Sequence, residues 1–361
     1  MSKKVAAGIA LFIFLMAAPQ SLLAQDYIGA LSGLYFGRQP SARAEAMGRG
    51  VVTSGGGFAS FYNPAAIGMN RGLTVSAAHS GPLPFLPEAS YNFIGATYEL
   101  GSFGHVGLSI YRFDYGEDFL TIVRGPDGRP VPVGRYTPAT TLFRLTFAKA
   151  VLKNLYTGVN IALLRDKLLE TASLMQFDLG LLKILELNTR QRISFGASLF
   201  NVNHGKLSYT ADTQKAALPV ILNVGGSWQI ATGRTTLNTF DLNTLSFIVH
   251  LEYQYLLNSD YYDGFKAGGE LGLIDMIFLR MGTYYQDVDD HGLPESNKSS
   301  IGDFTYGLGV RLPLGKLLSM ENIPEVQLDV TSLKQPSLVQ SFNDWDNFSV
   351  YSLSVNWNFQ N

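Results

Sequence analysis

The sequence predicts an all-β protein: a transmembrane antiparallel β-barrel of about fourteen strands with an N-terminal plug segment. Three observations support this fold: strand-like segments with a period of two, an export signal, and connections of alternating length. Hydrophobic residues make up 46% of the 361 residues and charged residues only 16%, against roughly 25% in soluble proteins. The chain has no cysteine, and its net charge of −2 gives no sign of nucleic-acid binding.

Residues 1–24 have the features of a secretory signal peptide. Lys3 and Lys4 precede an apolar run that extends from Val5 to Ala18, and we expect cleavage after Ala24. The run is short for a transmembrane helix, and a short membrane anchor is the alternative interpretation. The signal supplies the export route that a barrel of the bacterial outer membrane requires.

The chain after residue 71 contains segments of about ten residues in which apolar and polar side chains alternate. In one of them, Ile193, Phe195 and Leu199 lie on one face, and Arg192 and Ser194 lie on the other. Soluble strands have five or six residues, so this length favours a lipid-facing barrel over a soluble sandwich. The predicted strands are 72–80, 89–99, 104–115, 140–149, 155–165, 172–183, 191–203, 219–231, 244–255, 263–273, 275–286, 301–311, 325–333 and 347–359.

The connections between these strands alternate in length. Links such as 100–103 and 150–154 are short, whereas 116–139, 204–218 and 334–346 are long and polar. Outer-membrane barrels have short periplasmic turns and long outer loops, and an even strand number places both termini in the periplasm. Aromatic residues near the segment ends predict interfacial girdles: Tyr91, Tyr98, Trp228, Tyr253, Tyr255, Tyr284, Tyr285, Trp357 and Phe359.

Residues 25–71 do not follow the alternating pattern. They are rich in small residues, as in Ser41–Gly50 and Gly55–Gly57, and Asn63-Pro64 favours a turn. Small residues permit close packing, so we interpret this stretch as a plug inside the barrel, with a loose periplasmic extension as the alternative. The predicted division is a signal peptide at 1–24, a plug segment at 25–71 and a transmembrane barrel at 72–361.

The block from Ser41 to Gly68 resembles the N-terminal signature of the PorV/PorQ family, a branch of the FadL-like outer-membrane barrels. Gly55–Gly57 stand where that family often has acidic residues. A second likeness joins Leu199–Asn203 to Leu218–Gly225, an Asn-rich strand end followed by a Leu-Pro start. The plug motif consists of Met47, Gly48, Gly50, Tyr62, Asn63, Pro64 and Ala65.

The resemblance implies a fourteen-stranded barrel with a plug and no catalytic activity. It implies an accessory role in type IX protein secretion and cell-surface attachment, and it leaves a PorV-like and a PorQ-like role equally open. The implied partners are outer-membrane lipid, secretion-machine proteins and the C-terminal sorting domains of cargo. The FadL side of the resemblance implies an alternative, the transport of hydrophobic solutes across the outer membrane.

Motifs that carry chemistry are missing from the sequence. No His-Glu-x-x-His, Gly-x-Ser-x-Gly, P-loop or dinucleotide fingerprint occurs, and none of the five histidines is paired at i, i+4. The acidic run Asp287–Gly292 lacks the later glutamate of a calcium loop and suits a solvated loop. We therefore expect no enzymatic activity, no cofactor and no metal site.

Charged residues of both signs fall on the polar faces of the predicted strands, which would line the lumen. Such groups must be hydrated or paired. We interpret them as a mixed polar network that holds a plug; a selective solute path is the alternative. The predicted network consists of Asp178, Arg192, Glu252, Lys266, Glu270, Arg280, Arg311 and Asp329.

Overall fold

The computed structural model describes residues 39–81, 88–124, 130–168, 170–209, 215–237, 240–257, 261–288, 300–318, 323–333 and 348–358. The predicted signal peptide and residues 25–38 of the predicted plug segment lie outside the described residues. The helices are α1 (Ala42–Ala46), α2 (Ala59–Tyr62) and α3 (Leu314–Leu318), with 3₁₀ turns at Pro64–Met69 and Gly101–Phe103. In the described ranges, no helix has both the length and the hydropathy needed to cross a membrane.

The remaining regular structure is β-strand. The strands are β1 (Leu73–Ser80), β2 (Ser90–Glu99), β3 (His105–Asp114), β4 (Asp118–Arg124), β5 (Pro130–Tyr136), β6 (Ala139–Leu152), β7 (Leu155–Lys167), β8 (Thr171–Asn188), β9 (Gln191–Phe200), β10 (Lys206–Ser208), β11 (Lys215–Ala217), β12 (Ile221–Thr232), β13 (Thr235–Leu237), β14 (Phe240–Leu242), β15 (Leu245–Leu256), β16 (Tyr261–Leu273), β17 (Ile277–Val288), β18 (Ser300–Pro313), β19 (Glu325–Leu333) and β20 (Phe348–Trp357).

Fourteen of these strands form a closed antiparallel barrel, which confirms the predicted fold and strand number. Neighbours along the chain pair around the ring, and β1 closes it by pairing with β20, as in the register Val75 to Val355. The hairpins β4–β5, β10–β11 and β13–β14 stand apart from the ring. The predicted bounds agree closely, the largest difference being β8, which continues to Asn188 rather than ending at residue 183.

The outer surface of the barrel is apolar. On β8, for example, Met175, Phe177, Leu179 and Leu181 are 37–47% exposed, while Gln176 and Asp178 between them are buried inside. The same alternation runs through the other long strands, because successive side chains of a strand face opposite ways. An apolar surface of this extent is stable against lipid, so the barrel is a transmembrane one.

Two of the predicted girdle residues, Tyr91 and Tyr284, instead point into the lumen, where they are 0% and 2% exposed. Tyr284 is followed directly by Tyr285, which faces outward, and two adjacent strand residues cannot both face lipid. The girdle prediction was therefore wrong for Tyr91 and Tyr284. Tyr98, Trp228, Tyr253, Tyr285 and Trp357 lie on the outer face, Tyr255 is half-buried, and Phe359 lies outside the described residues.

The two ends of the barrel differ. One end, called here the short-turn end, has tight connections such as the three residues Ile274–Met276 between β16 and β17. Ile274 and Asp275 have positive φ, 46° and 52°, as the central residues of a type I′ turn require, and the Met276 N–H donates to the Leu273 carbonyl at 3.0 Å. The opposite end carries the hairpins β4–β5 and β10–β11 and is called the long-loop end.

Candidate functional site

Residues 39–70, called here the inner segment, lie inside the barrel. Helix α1 contacts β17, β18, β19 and β20, and the turn Pro64–Met69 contacts β6, β7 and β8 on the other side. Ala42, Ala46 and Ala65 are completely buried. Small side chains allow the segment to approach the wall closely on both sides.

The motif residues Met47 and Gly48 form the turn that ends α1. Gly48 has a φ of 69°, and a Cβ placed there would lie 2.3 Å from the carbonyl oxygen of Thr283. Its N–H donates to the Thr305 hydroxyl at 3.0 Å, and that hydroxyl donates to the Ala46 carbonyl at 2.9 Å. Only glycine fits a left-handed turn pressed this closely against the wall.

The motif residue Gly50 lies where the inner segment passes β15 and β16. A Cβ at Gly50 would lie 2.7 Å from Nε2 of His250. Two residues later, the N–H of Val52 donates to the carboxylate of Glu252 at 2.8 Å. This stretch is therefore held by a polar side chain of the wall.

The motif residues Asn63, Pro64 and Ala65 form a second attachment. The Asn63 side chain accepts from the Ala65 N–H at 3.0 Å and donates to the carbonyls of Val52, at 2.8 Å, and Leu181, at 3.0 Å. Pro64 occupies the first position of the following 3₁₀ turn, where a missing N–H costs nothing. Asn63 thus joins two parts of the segment to the wall with one buried amide.

Two wall glycines make this second attachment possible. A Cβ at Gly158 would lie 2.4 Å from the nitrogen of Ala65, and a Cβ at Gly180 would lie 2.2 Å from Oδ1 of Asn63.

The last motif residue, Tyr62, accepts a hydrogen bond from the Ser41 N–H at 2.9 Å. Burial raises the pKa of the Tyr62 phenol well above its usual value, so the group stays neutral.

Five of the predicted lumen residues belong to two ion-pair groups. Arg280 contacts Glu270 at 2.6 Å and Asp329 at 2.7 Å, and Glu270 also binds Arg43 of the inner segment at 2.7 Å. In the second group, Lys266 contacts Glu252 at 3.1 Å. Each group therefore contacts the inner segment, the first through Arg43 and the second through the N–H of Val52.

Asp178, another predicted residue, lies on the far side of the lumen. Its carboxylate faces Arg144 at 3.4 Å and accepts from the Asn160 side chain at 3.0 Å. Arg144 and Asn160 both donate to the carbonyl of Ser60, at 3.2 and 3.0 Å. This third group holds α2 through its backbone.

The remaining predicted residues, Arg192 and Arg311, do not join an ion pair among the described residues. Arg192 donates to Gln229, and Arg311 donates to Gln327 at 3.1 Å. Both border a cavity of about 900 Å³ that is lined by polar and apolar side chains, opens at the short-turn end and is called here the vestibule.

Sequence reasoning missed several partners in these groups. The inner segment contains a buried pair, Glu45 and Arg49, at 2.8 Å, and the Arg49 guanidinium lies 4.1 Å from the ring centre of Tyr284. Burial alone would lower the pKa of Arg49, but the Glu45 carboxylate raises it above its ordinary value. The alternation of Phe143, Arg144 and Leu145 could have identified Arg144, whereas Glu45 and Arg49 follow no strand pattern.

The ion pairs balance in charge. Five cationic and five acidic side chains take part, which leaves no net charge in the paired interior. The cations are Arg43, Arg49, Arg144, Lys266 and Arg280, and the acids are Glu45, Asp178, Glu252, Glu270 and Asp329.

The lumen near the long-loop end is apolar on the side of β2 and β3. Six rings, called here the aromatic cluster, are at most 7% exposed: Phe58, Phe61, Tyr91, Phe93, Tyr111 and Phe113. The ring centres of Phe58 and Phe93 are 5.0 Å apart, and those of Phe61 and Tyr111 are 5.1 Å apart. Phe58 and Phe61 belong to the inner segment, so this cluster joins the segment to the wall.

Within the described ranges, no group of three or more His, Asp or Glu side chains has the geometry of a metal site. The described polar side chains of the lumen instead contact one another and the backbone of the inner segment, as in the groups around Glu270, Glu252 and Asp178. This arrangement can hold a segment in place and can offer either a polar or an aromatic surface to a solute.

No protein-family model matches the chain, and no curated protein matches it. Solved structures with a similar course include a Pseudomonas aeruginosa FadL homologue (11% identity, 90% of this chain, 99% of that one, TM-score 0.47). They also include the toluene transporter TodX of Pseudomonas putida (11% identity, 92% of this chain, 98% of that one, TM-score 0.44). A third is the toluene transporter TbuX of Ralstonia pickettii (14% identity, 92% of this chain, 100% of that one, TM-score 0.47).

Proposed function

We propose that the chain is an integral barrel of the bacterial outer membrane, that its inner segment is a plug, and that it carries small hydrophobic solutes across the membrane. The aromatic cluster is the observation that supports this role. A water-filled barrel has a polar interior. Here Tyr91 and Phe93 on β2 and Tyr111 and Phe113 on β3 place an apolar surface inside the lumen.

The rings of Phe58 and Phe61 occupy the space that such a solute would take. Both contact wall aromatics, Phe93 and Tyr111 respectively, at ordinary ring-packing distances. A hydrophobic solute that displaces them gains the same wall contacts, because apolar and aromatic side chains form most ligand pockets. Displacement of α2 would then begin the opening of the plug.

Equilibrium binding of radiolabelled naphthalene to the full chain in lipid nanodiscs tests this proposal, with empty discs as the blank. The double variant Phe58→Ala, Phe61→Ala removes the competing rings, so we expect it to bind the probe more tightly than the wild type. Phe278→Ala is the matched control, because Phe278 is a buried lumen ring that borders the vestibule. Equal binding by the double variant and the control would contradict the role.

A second candidate is the accessory role in type IX secretion and surface attachment that the block Ser41–Gly68 suggests. The burial of the motif residues favours it. Met47, Asn63 and Ala65 are at most 1% exposed and serve to fix the segment, which suits a closed barrel that acts as a platform for other proteins.

A mild-detergent pull-down of the tagged chain from native outer membranes separates the two roles. The secretion role predicts recovery of a very large barrel, or of cargo proteins that share a C-terminal sorting domain. Recovery of the chain alone, together with tight naphthalene binding, would leave solute transport as the function.

A further inference from the structure

Two cavities adjoin the inner segment, at opposite ends of the lumen. The vestibule is bordered by Arg192 of β9 and Gln229 of β12, near the short-turn end. A second, inner cavity of about 40 Å³ is bordered by Phe200 of β9 and Asn223 of β12, near the long-loop end. The same two strands therefore form part of the lining of both cavities, and the aromatic cluster reaches each cavity as well, through Phe58 at the vestibule and Phe61 at the inner cavity.

Two side chains separate these cavities. Among the described residues, only Val51 and Tyr62 border both the vestibule and the inner cavity. They are 3% and 8% exposed, and the Tyr62 hydroxyl is fixed by the Ser41 N–H. The barrier between the two cavities therefore consists of one aliphatic and one aromatic side chain.

The inner cavity is suited to water. Gln39 Oε1 and Asn223 Oδ1 are buried acceptors, and Arg49 Nη2 is a buried donor; none has a hydrogen-bond partner in the described part of the chain. All three residues border the cavity. A water molecule can donate to either amide oxygen and accept from the guanidinium. A cavity of about 40 Å³ has space for roughly three waters.

We propose that this side of the lumen is a gated path for water and small monovalent ions, closed in the present structure by Val51 and Tyr62. Charged side chains border the path on both sides of a narrow apolar constriction: Lys266 and Glu252 line the inner cavity, and Arg43 and Glu270 line the vestibule. Hydrophobic gates block conduction in this way, by excluding water from the constriction. The path does not depend on hydrophobic transport, although Phe58 and Phe61 of the aromatic cluster border the vestibule and the inner cavity respectively.

Conductance of the full chain in planar lipid bilayers tests the gate. Val51→Ala shortens the constriction, and we expect it to raise the mean conductance in potassium chloride about tenfold over the wild type. Val52→Ala is the matched control, because Val52 is the neighbouring buried valine, packs against Gly196 and Gly225, and borders neither cavity. An equal conductance of the two variants would overturn the proposal.

A labelling experiment tests the gate without relying on an open channel. The chain has no cysteine, so Val51→Cys and Val52→Cys each carry a single thiol. We expect a small, charged methanethiosulfonate reagent, added from the side of the vestibule, to modify Val51→Cys faster than Val52→Cys. Equal rates would show that the vestibule gives position 51 no preferential access, and no modification of either thiol would show that the reagent does not reach the constriction; either result would overturn the proposal.

Discussion

The two halves of the inner segment are held in different ways. The first half, residues 39–54, combines close packing at the turn Met47-Gly48 with charge: Arg43 binds Glu270, and the N–H of Val52 binds Glu252. The second half, residues 58–70, is held by close packing and by backbone groups, with Ala65 pressed against Gly158. Charge pairs are lost when one partner is removed, whereas close packing is lost when an atom is added.

The protease sites of the chain distinguish the two halves. Trypsin cleaves after arginine, and the first half contains Arg43 and Arg49; chymotrypsin cleaves after aromatic residues, and the second half contains Phe58, Phe61 and Tyr62. Limited proteolysis of the folded barrel therefore reports which half has left the wall. Urea unfolding in lipid vesicles measures the accompanying change in the stability of the barrel.

The largest effect is expected for Arg280→Met. Arg280 is completely buried and pairs with both Glu270 and Asp329, so the variant leaves two buried carboxylates with one partner fewer. Breaking a buried pair in this way costs about 3–5 kcal/mol. We expect a lower urea midpoint and new tryptic cleavage in the first half, with the second half still resistant to chymotrypsin.

Arg311→Met is the control for that variant. Arg311 also lies over the Phe278 ring and also faces the lumen, but its partner is the neutral Gln327. We expect a change in the unfolding free energy of about 1 kcal/mol or less. A loss as large as that of Arg280→Met would mean that the ion pairs do not hold the first half.

The next effect is expected for Asn63→Ala, which acts on both halves together. The variant leaves the buried carbonyls of Val52 and Leu181 without their donor, at about 1–3 kcal/mol for each carbonyl. We expect both proteases to cut the segment. Cleavage by trypsin alone would show that Asn63 belongs functionally to the first half.

A smaller effect, confined to the second half, is expected for Gly158→Ala. The new methyl group would lie 2.4 Å from the nitrogen of Ala65, and overpacking of this kind costs about 1–3 kcal/mol. We expect chymotryptic cleavage without tryptic cleavage. Gly226→Ala is the control, since a Cβ at Gly226 meets its nearest atoms at 3.5 Å, an ordinary contact distance; if it opens the segment equally, steric packing is not the cause.

The barrel was predictable because one local rule, the alternation of faces, decides each strand. The alternation predicts that Glu252, Lys266, Glu270, Arg280 and Asp329 face the lumen; all five are buried in the structure, which adds their partners. The rule gives no answer where two adjacent residues are both aromatic, because one of them must face the lumen. That is the physical reason for the error at Tyr284, whose inward position lets it accept the Arg49 guanidinium over its ring.

The partners of the lumen residues could not be predicted, because they are set by the depth at which the inner segment lies. Arg192 and Arg311 have the same charge as Arg280, yet they lie nearer the short-turn end and border the vestibule, where they donate to the neutral amides of Gln229 and Gln327. The inner segment itself has no repeating pattern. Its contacts depend on single glycines of the wall, such as Gly158 and Gly180, whose role appears only when the segment is in place.

The smallest expected effect is that of Thr305→Val, which replaces a hydroxyl by a methyl group of similar size. The hydroxyl accepts from the Gly48 N–H and donates to the Ala46 carbonyl, and each such bond contributes about 0.5–1.5 kcal/mol. We expect a small fall in the urea midpoint and slow tryptic cleavage in the first half. Thr146→Val is the control, because its hydroxyl binds Asn160 within the wall. If both variants expose Arg49 equally, the turn at Gly48 is held by its fit against Thr283 rather than by this hydroxyl.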